Sequence, residues 1–338
     1  PLCPTINTPW TPLKIFELFF KYNASNATII PTLKIPKIGT LRAIKRKKRM
    51  VYSQNLTSIN QKFTALLLIL LLSFSLHAKD KIVLGLTGTV FKDDLKNFMD
   101  WGKYLERQND IAVEIRFTKT YAEMNRLIKE NKVDVAYVCN SSYTKLGKEK
   151  TGKLLAIPIF NGSDQYYSYI IAKKSSTYES LLDFKDKIFA FTDPESNSGA
   201  TAPYYYMLSQ DADPKTFFRS FIYTYEHGES IKAVLDGFVD GASVDSIVYT
   251  RFEQKHPEQI EKLKIVQILG PYTNSPIVVR STISEKHFKA LQKSFITMHL
   301  DPYGKAILEK LSLNRFDIPN GQDFSNVAKM LEVIENRQ

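Results

Sequence analysis

From Lys79 onward, two hydrophobic rhythms alternate along the chain. Residues 81–85 (Lys-Ile-Val-Leu-Gly), 112–117, 133–138, 188–191 and 220–225 are short apolar or alternating runs, the pattern of β-strands. Between them, apolar residues recur at helical spacing. Leu95, Phe98, Met99, Trp101 and Leu105 share one face of a helix over 94–108. Thr120-Tyr-Ala-Glu123 reads as a capping box opening a helix through Leu127 and Ile128. Asn140-Ser-Ser142 reads as the cap of the next helix. A short strand at 240–244 leads to Asp245, and further strands follow at 265–269 and 275–280. Three helical patterns, around 288–298, 303–311 and 324–334, close the chain. This succession predicts α/β sheets with crossover helices. Residues 169–172 and 271–276 read as two crossovers. They would give one discontinuous lobe, 79–170 plus 275–338, and a second lobe, 171–274.

One polar stretch breaks the rhythm. Asp193-Pro-Glu-Ser-Asn-Ser-Gly-Ala-Thr-Ala-Pro203 joins the strand at 188–191 to a helix over 204–208. A strand, a polar turn and a helix point free backbone N–H groups at an anion. Ser196 and Ser198 add hydroxyl donors, and Gly199 lets backbone approach a ligand closely. Pro203 fits the first helical turn, where no intrahelical N–H bond is lost. The stretch reads as an oxyanion cradle centred on Ser196, Asn197 and Ser198, although Ser-x-Ser-Gly before a helix is also an ordinary N-cap.

The segment ahead of these elements changes the charge picture. The first Met is Met50, and 63–76 is an apolar run followed by His77-Ala78-Lys79. That is the layout of a signal peptide over 50–78 with cleavage near Lys79, the alternative being an uncleaved anchor. Residues 1–49 fit no targeting class and read as untranslated or added leader. Lys45–Arg49 is a basic run, but its place before a signal peptide argues against a nucleic-acid patch. Residues 1–78 hold 11 of the 46 Lys and Arg and one of the 35 Asp and Glu, which leaves 35 basic against 34 acidic residues. The overall charge of +11 therefore says nothing about partners of the mature part, and nucleic-acid binding loses its support. Only Cys139 remains after residue 78, so no internal disulfide forms there, and it reads as a buried small hydrophobe. His227, His256, His287 and His299 are scattered, with no metal-ligand spacing, no nucleotide phosphate loop and no nucleophile elbow.

Asp193-Pro-Glu-Ser-Asn-Ser-Gly199 followed by Pro203 resembles the D-P-x-S-x-S-G-x-x-x-P signature of phosphate/phosphite/phosphonate ABC-transporter substrate-binding proteins. Supporting likenesses are Tyr121-Ala122, Val133-Asp-Val-Ala136, and Tyr166 with Ser168, where Gln165 replaces the family's Gly. Glu226-His227-Gly228 stands where the family has G-x-H. Val239–Ser246 and Pro276–Arg280 complete a match running from Lys81 to Phe316. The resemblance implies a type II periplasmic binding protein fold: two α/β lobes, two crossovers and a ligand cleft between them. It implies a periplasmic protein that is not an enzyme and needs no cofactor or metal. Such a protein captures a small phosphorus oxyanion (phosphonate, phosphite or phosphate) as a monomer and delivers it to an ABC permease.

The resemblance places Tyr121 and Tyr166 as phenolic donors facing the cradle. His227, between strand and helix, can donate to an oxyanion or serve as a loop histidine. Asp245 can orient donors or accept a proton from a hydrogen phosphate, or it caps the helix that starts at Ser246. Ile247 and Ser275 sit where a wall recognising a cationic amine would need carboxylates, so aminoalkylphosphonates are not the expected ligands. A ligand-presenting sensor subunit is the alternative function. A phosphatase or esterase finds no nucleophile–base pair here.

Overall fold

The computed structural model describes residues 80–88 and 95–337, with 46, 47, 49, 63 and 64 as isolated positions. The expected leader over 1–49 and signal peptide over 50–78 lie outside these residues or touch them only at single positions. Among the described residues, no helix is long and apolar enough to cross a membrane.

The alternating pattern resolves into β1 (Lys81–Leu86), α1 (Leu95–Asn109), β2 (Ala112–Phe117), α2 (Tyr121–Lys129), β3 (Val135–Tyr137), α3 (Asn140–Lys148) and β4 (Gly152–Phe160). Next come β5 (Gln165–Lys173), β6 (Ile188–Phe191), α4 (Ala202–Ser209), α5 (Pro214–Phe217), β7 (Ser220–Tyr223), α6 (His227–Asp236) and β8 (Gly241–Asp245). The chain ends through α7 (Ser246–Lys255), α8 (Pro257–Ile260), β9 (Leu263–Thr273), β10 (Ile277–Arg280), α9 (Glu285–Ile296), α10 (Pro302–Lys310), β11 (Leu313–Asp317) and α11 (Ser325–Asn336).

Two sheets form on one plan. The first runs β11-β4-β10-β3-β1-β2 and the second β7-β6-β8-β5-β9. Each holds a parallel trio: β2, β1 and β3 in the first, β7, β6 and β8 in the second. Each trio is flanked by an antiparallel strand that enters from the other sheet, β10 in the first and β5 in the second. This is the arrangement in which crevices open beyond the carboxyl ends of parallel strands. The cores are aromatic. Trp101 packs on Phe98, Phe295 and Phe316 in the first, with ring centroids 5.3–5.6 Å apart. Phe189 packs on Phe184, Phe191 and Phe218 in the second, at 4.8–5.4 Å.

Both passages between sheets differ from expectation, the second only in that 271–273 still belong to β9. Residues 169–172 lie inside β5, where Tyr169 pairs with Val244 and with Ile268. The chain changes sheet earlier, at 161–164, and returns at 274–276. Buried Asn274 ties the passages together: its N–H donates to Asp164 O (2.7 Å), and its Nδ2 to Pro158 O (2.9 Å) and Ser163 O (3.0 Å). An apolar run such as 169–172 reads equally as hinge or central strand, and only its ladder partners decide.

Local signals of helix entry also differ in detail. Thr120 caps α2 as expected, its hydroxyl accepting from Glu123 N at 3.2 Å. For α3 the N-cap residue is Cys139, with no side-chain cap bond, while Asn140, Ser141 and Ser142 occupy the first turn. From there Asn140 Nδ2 donates to Thr273 O and Ser141 Oγ meets Thr201 Oγ1, both on the second sheet's side.

Candidate functional site

Apart from Tyr166, near the start of antiparallel β5, the site residues follow carboxyl ends of parallel strands. Tyr121 follows β2, Cys139 follows β3, Ser196–Ser198 follow β6, His227 follows β7, and Asp245 ends β8.

The cradle after β6 is a tight turn leading into α4. Ser196 N donates to Asp193 O (2.8 Å), and both Ala200 N (3.0 Å) and Thr201 N (2.8 Å) donate to Ser196 O. The last bond spans five residues, so 197–201 form a π-type turn, wider than an α-helical one. Ser196 caps it, with Oγ accepting from Gly199 N at 3.0 Å. Gly199 is required by space: a Cβ there would lie 2.5 Å from Thr192 Cβ. The Ser198 carbonyl is held by two hydroxyls, Ser168 Oγ and Ser243 Oγ, each at 2.6 Å. The Ser198 hydroxyl itself takes part in none of these bonds.

His227 sits behind the cradle as the first residue of α6, almost fully buried. Asp245 N donates to its Nδ1 at 3.0 Å, with Thr192 Oγ1 3.1 Å away. An accepting Nδ1 leaves the proton on Nε2, which lies 3.5 Å from Ser196 Oγ. Burial drops its pKa to about 3, so the ring is neutral at physiological pH. Asp245 caps α7, its Oδ1 accepting from Ile247 N (2.7 Å) and Val248 N (3.3 Å). Burial outweighs those bonds and raises its carboxyl pKa to about 7.

The first sheet contributes the opposite wall. Tyr121, 1% exposed, has a hydroxyl with no hydrogen-bond partner, and Asn140 Oδ1 is likewise unpartnered. Burial holds the Tyr121 phenol well above its ordinary pKa, with Cys139, Asp193 and Asp245 adding to the effect. The walls meet directly. Tyr121 N donates to Asp193 Oδ2 (3.2 Å), Asn197 N to Cys139 Sγ (3.0 Å), and Ser141 Oγ lies 3.1 Å from Thr201 Oγ1. Farther out, Glu195 accepts from Asn125 Nδ2 and Lys145 Nζ, both at 2.9 Å. The N-terminal ends of α3 and of the cradle turn thus converge. Two positive helix ends repel unless an anion lies between them.

All seven residues singled out from the sequence are brought into this one buried neighbourhood, with one correction of side. Tyr166 belongs to β5 and so to the second sheet, where it packs on Tyr272 and accepts from Asn197 Nδ2 at 2.9 Å. Only Tyr121 among the expected phenols approaches from the first sheet. Cys139 is buried as expected but also accepts a hydrogen bond, so it acts as more than a hydrophobe. Asn140, Ser141, Thr192, Thr201 and Ser243 complete the network without having been singled out as site residues. Their only signal was a high density of small hydroxyl and amide residues directly after β3, β6 and within β8. Among the described residues, no group of three or more His, Cys, Asp or Glu side chains is placed to hold a metal ion.

A family model described as the ABC transporter, phosphonate, periplasmic substrate-binding protein matches residues 91–324. The phosphonates-binding periplasmic protein of Escherichia coli (strain K12) is 26% identical over 260 residues, 74% of this chain and 76% of that protein. The crystal structure of a binding-protein component of an ABC phosphonate transporter from Pseudomonas aeruginosa has a TM-score of 0.71 at 24% identity. It covers 77% of this chain and 87% of its own. A protein of Prochlorococcus marinus (MIT 9301), solved in complex with methylphosphonate, has a TM-score of 0.68 at 18% identity, covering 76% and 98%. These structures share the type II periplasmic binding fold. The family model spans well over half of the chain, and the chain belongs to the family of phosphonate-binding periplasmic components of ABC transporters.

Proposed function

We propose that this protein captures a small phosphorus oxyanion between its two sheets, in the neighbourhood of Tyr121, Tyr166, Ser196, Asn197, Ser198, His227 and Asp245. As in its family, the role is binding and delivery to an ABC permease rather than catalysis. One observation carries the ligand assignment: the amino ends of α3 and of the cradle turn face each other across a buried seam beside the unpartnered Tyr121 hydroxyl. The nearby serines, tyrosines and neutral His227 are uncharged donors. Directed neutral donors suit an oxyanion, whose several oxygens each accept hydrogen bonds.

The sheets act as two lobes that close on the ligand, with the passages at 161–164 and 274–276 as hinges. Donors on both sheets favour the closed state, because only that state satisfies both sets. The protein works outside the cytoplasmic membrane as a monomer, after cleavage near Lys79. Intact mass and light scattering of the exported protein test those two points. For the ligand, a thermal-shift screen of phosphate, phosphite, methylphosphonate, aminoethylphosphonate, sulfate and taurine is the direct experiment. Stabilisation by phosphite or methylphosphonate, above sulfate and taurine, is expected. Stabilisation only by the sulfur anions refutes the assignment.

A further inference from the structure

Gly88 follows β1 and is buried against the opposite sheet's loop. A Cβ built on it would overlap the carbonyl oxygen of Tyr225 and lie 3.5 Å from Glu226 Cα. Both are main-chain atoms, which cannot rotate aside as the end of a side chain can. The φ of Gly88 lies outside the left-handed region, so its backbone admits any residue and the limit is space alone.

The Tyr225 segment has little freedom to retreat. Tyr225 has φ +65°. Its N–H donates to Thr192 O at 2.6 Å, and Lys119 Nζ from the first sheet lies 5.1 Å from its ring centroid. Glu226 is the N-cap of α6, one residue before His227. Gly88 therefore rests, from the first sheet, on the backbone that carries His227 in the second.

We propose that Gly88 sets how far the two lobes close: its bare backbone seats against the Tyr225 carbonyl and so lets Tyr121 come up to the cradle. This rests on the reading that binding proceeds by closure on an oxyanion. When the lobes part, the Tyr225 carbonyl withdraws from Gly88, and the clash of a side chain there with that carbonyl is relieved. Substitution then costs closure and leaves folding intact, which separates this role from ordinary packing.

The test compares wild type, Gly88→Ala and Gly88→Val, with Gly147→Ala as control, since a Cβ at 147 meets nothing within 4 Å. Unliganded Tm, calorimetry with methylphosphonate and phosphite, small-angle scattering, and alkylation of Cys139 followed by peptide mass are measured on each. Cys139 is 3% exposed with the lobes together, so alkylation reports on parting. Gly88→Ala is expected to keep the wild-type unliganded Tm and bind about tenfold or more weakly. Gly88→Val is expected to bind more weakly still, with Cys139 open to alkylation at saturating ligand. Wild-type affinity and compaction in both variants overturn the proposal. So does a fall in unliganded Tm that matches the loss of affinity. If wild type neither binds nor compacts with these anions, the closure-on-oxyanion reading fails. Alkylation of the unliganded proteins then judges Gly88 separately: faster labelling in Gly88→Val supports the proposal, and equal rates refute it.

Discussion

The two walls of the cleft are built differently. The second sheet's wall is internally bonded: Thr192, His227 and Asp245 N form one chain, and Ser168 and Ser243 clasp the Ser198 carbonyl. Ser196 closes its own turn. An unpartnered amide oxygen occurs on each wall, Asn140 Oδ1 on the first and Asn197 Oδ1 on the second, but only the first sheet's wall holds an unpartnered donor, the Tyr121 hydroxyl. A buried polar atom left unpaired costs about 1–3 kcal/mol, so the Tyr121 hydroxyl is a deficit that an accepting oxyanion can relieve. The difference teaches a division of labour: the second wall is preorganised, and the first gains its partners on binding.

The largest effects should come from breaking the preorganised wall. His227→Ala strips an acceptor from Asp245 N and Thr192 and leaves a cavity, costing about 3 kcal/mol of stability. Urea unfolding measures it, and an unchanged midpoint would show that the network carries no stability. Its titration sharpens the point. The pKa of His227 falls from 6.5 to about 3 on folding, so its contribution is lost as pH drops from 6.5 toward 3. The pKa of Asp245 rises from 3.8 to about 7, so its contribution is lost as pH climbs from 3.8 toward 7. The two slopes oppose each other over roughly pH 4–6.5. His227→Gln should therefore lose stability as pH rises through that window, by up to about 1.4 kcal/mol per pH unit. Asp245→Asn should gain it. Parallel pH profiles for both variants and wild type would refute these protonation states.

Next come the cradle serines, which separate structure from ligand. Ser198→Ala should weaken the best oxyanion by about 1.5–3 kcal/mol, roughly ten- to a hundredfold, with little change in unliganded Tm. Ser196→Ala should also lower Tm, since it removes the cap on Gly199 N, worth about 1 kcal/mol. Calorimetry and melting on both decide it. Wild-type affinity in both variants would remove the cradle from the site.

The smallest effect tests the uncommitted wall. Tyr121→Phe deletes a hydroxyl that has no partner, so the unliganded protein should be as stable as wild type or slightly more so. Ligand affinity should fall by about 1 kcal/mol, roughly fivefold. A loss of unliganded stability would mean that the hydroxyl already has a partner and that the walls do not differ as described.

Much of the architecture was legible along the chain. The parallel trios β1–β3 and β6–β8 fell where short apolar runs stood between helical spacings, because strand and helix periods differ locally. The cradle was legible too, since a strand, a Ser-rich turn and a helix in succession need no distant partner. Other elements were not. Gly152–Phe160 was missed as a strand because it is buried on both faces from Leu155 on, shows no alternation, and carries Pro158. The expected crossover at 169–172 falls inside β5 because an apolar run does not announce its ladder partners. Tyr166 was assigned to the wrong wall for the same reason.

What the sequence determined by itself is therefore what short-range chemistry controls: element types, the Asp193–Pro203 turn, the cap at Asp245, and the family those motifs mark. Only the tertiary structure decided which side each group serves and in what state. It set Asn197 N against Cys139, Ser141 against Thr201, and the Gly88 backbone against Tyr225. It also turned His227 neutral and pushed Asp245 toward neutral pH. These depend on burial and on contacts between residues many positions apart. Desolvation and steric exclusion act through space, and no local pattern of hydrophobic and polar residues encodes them.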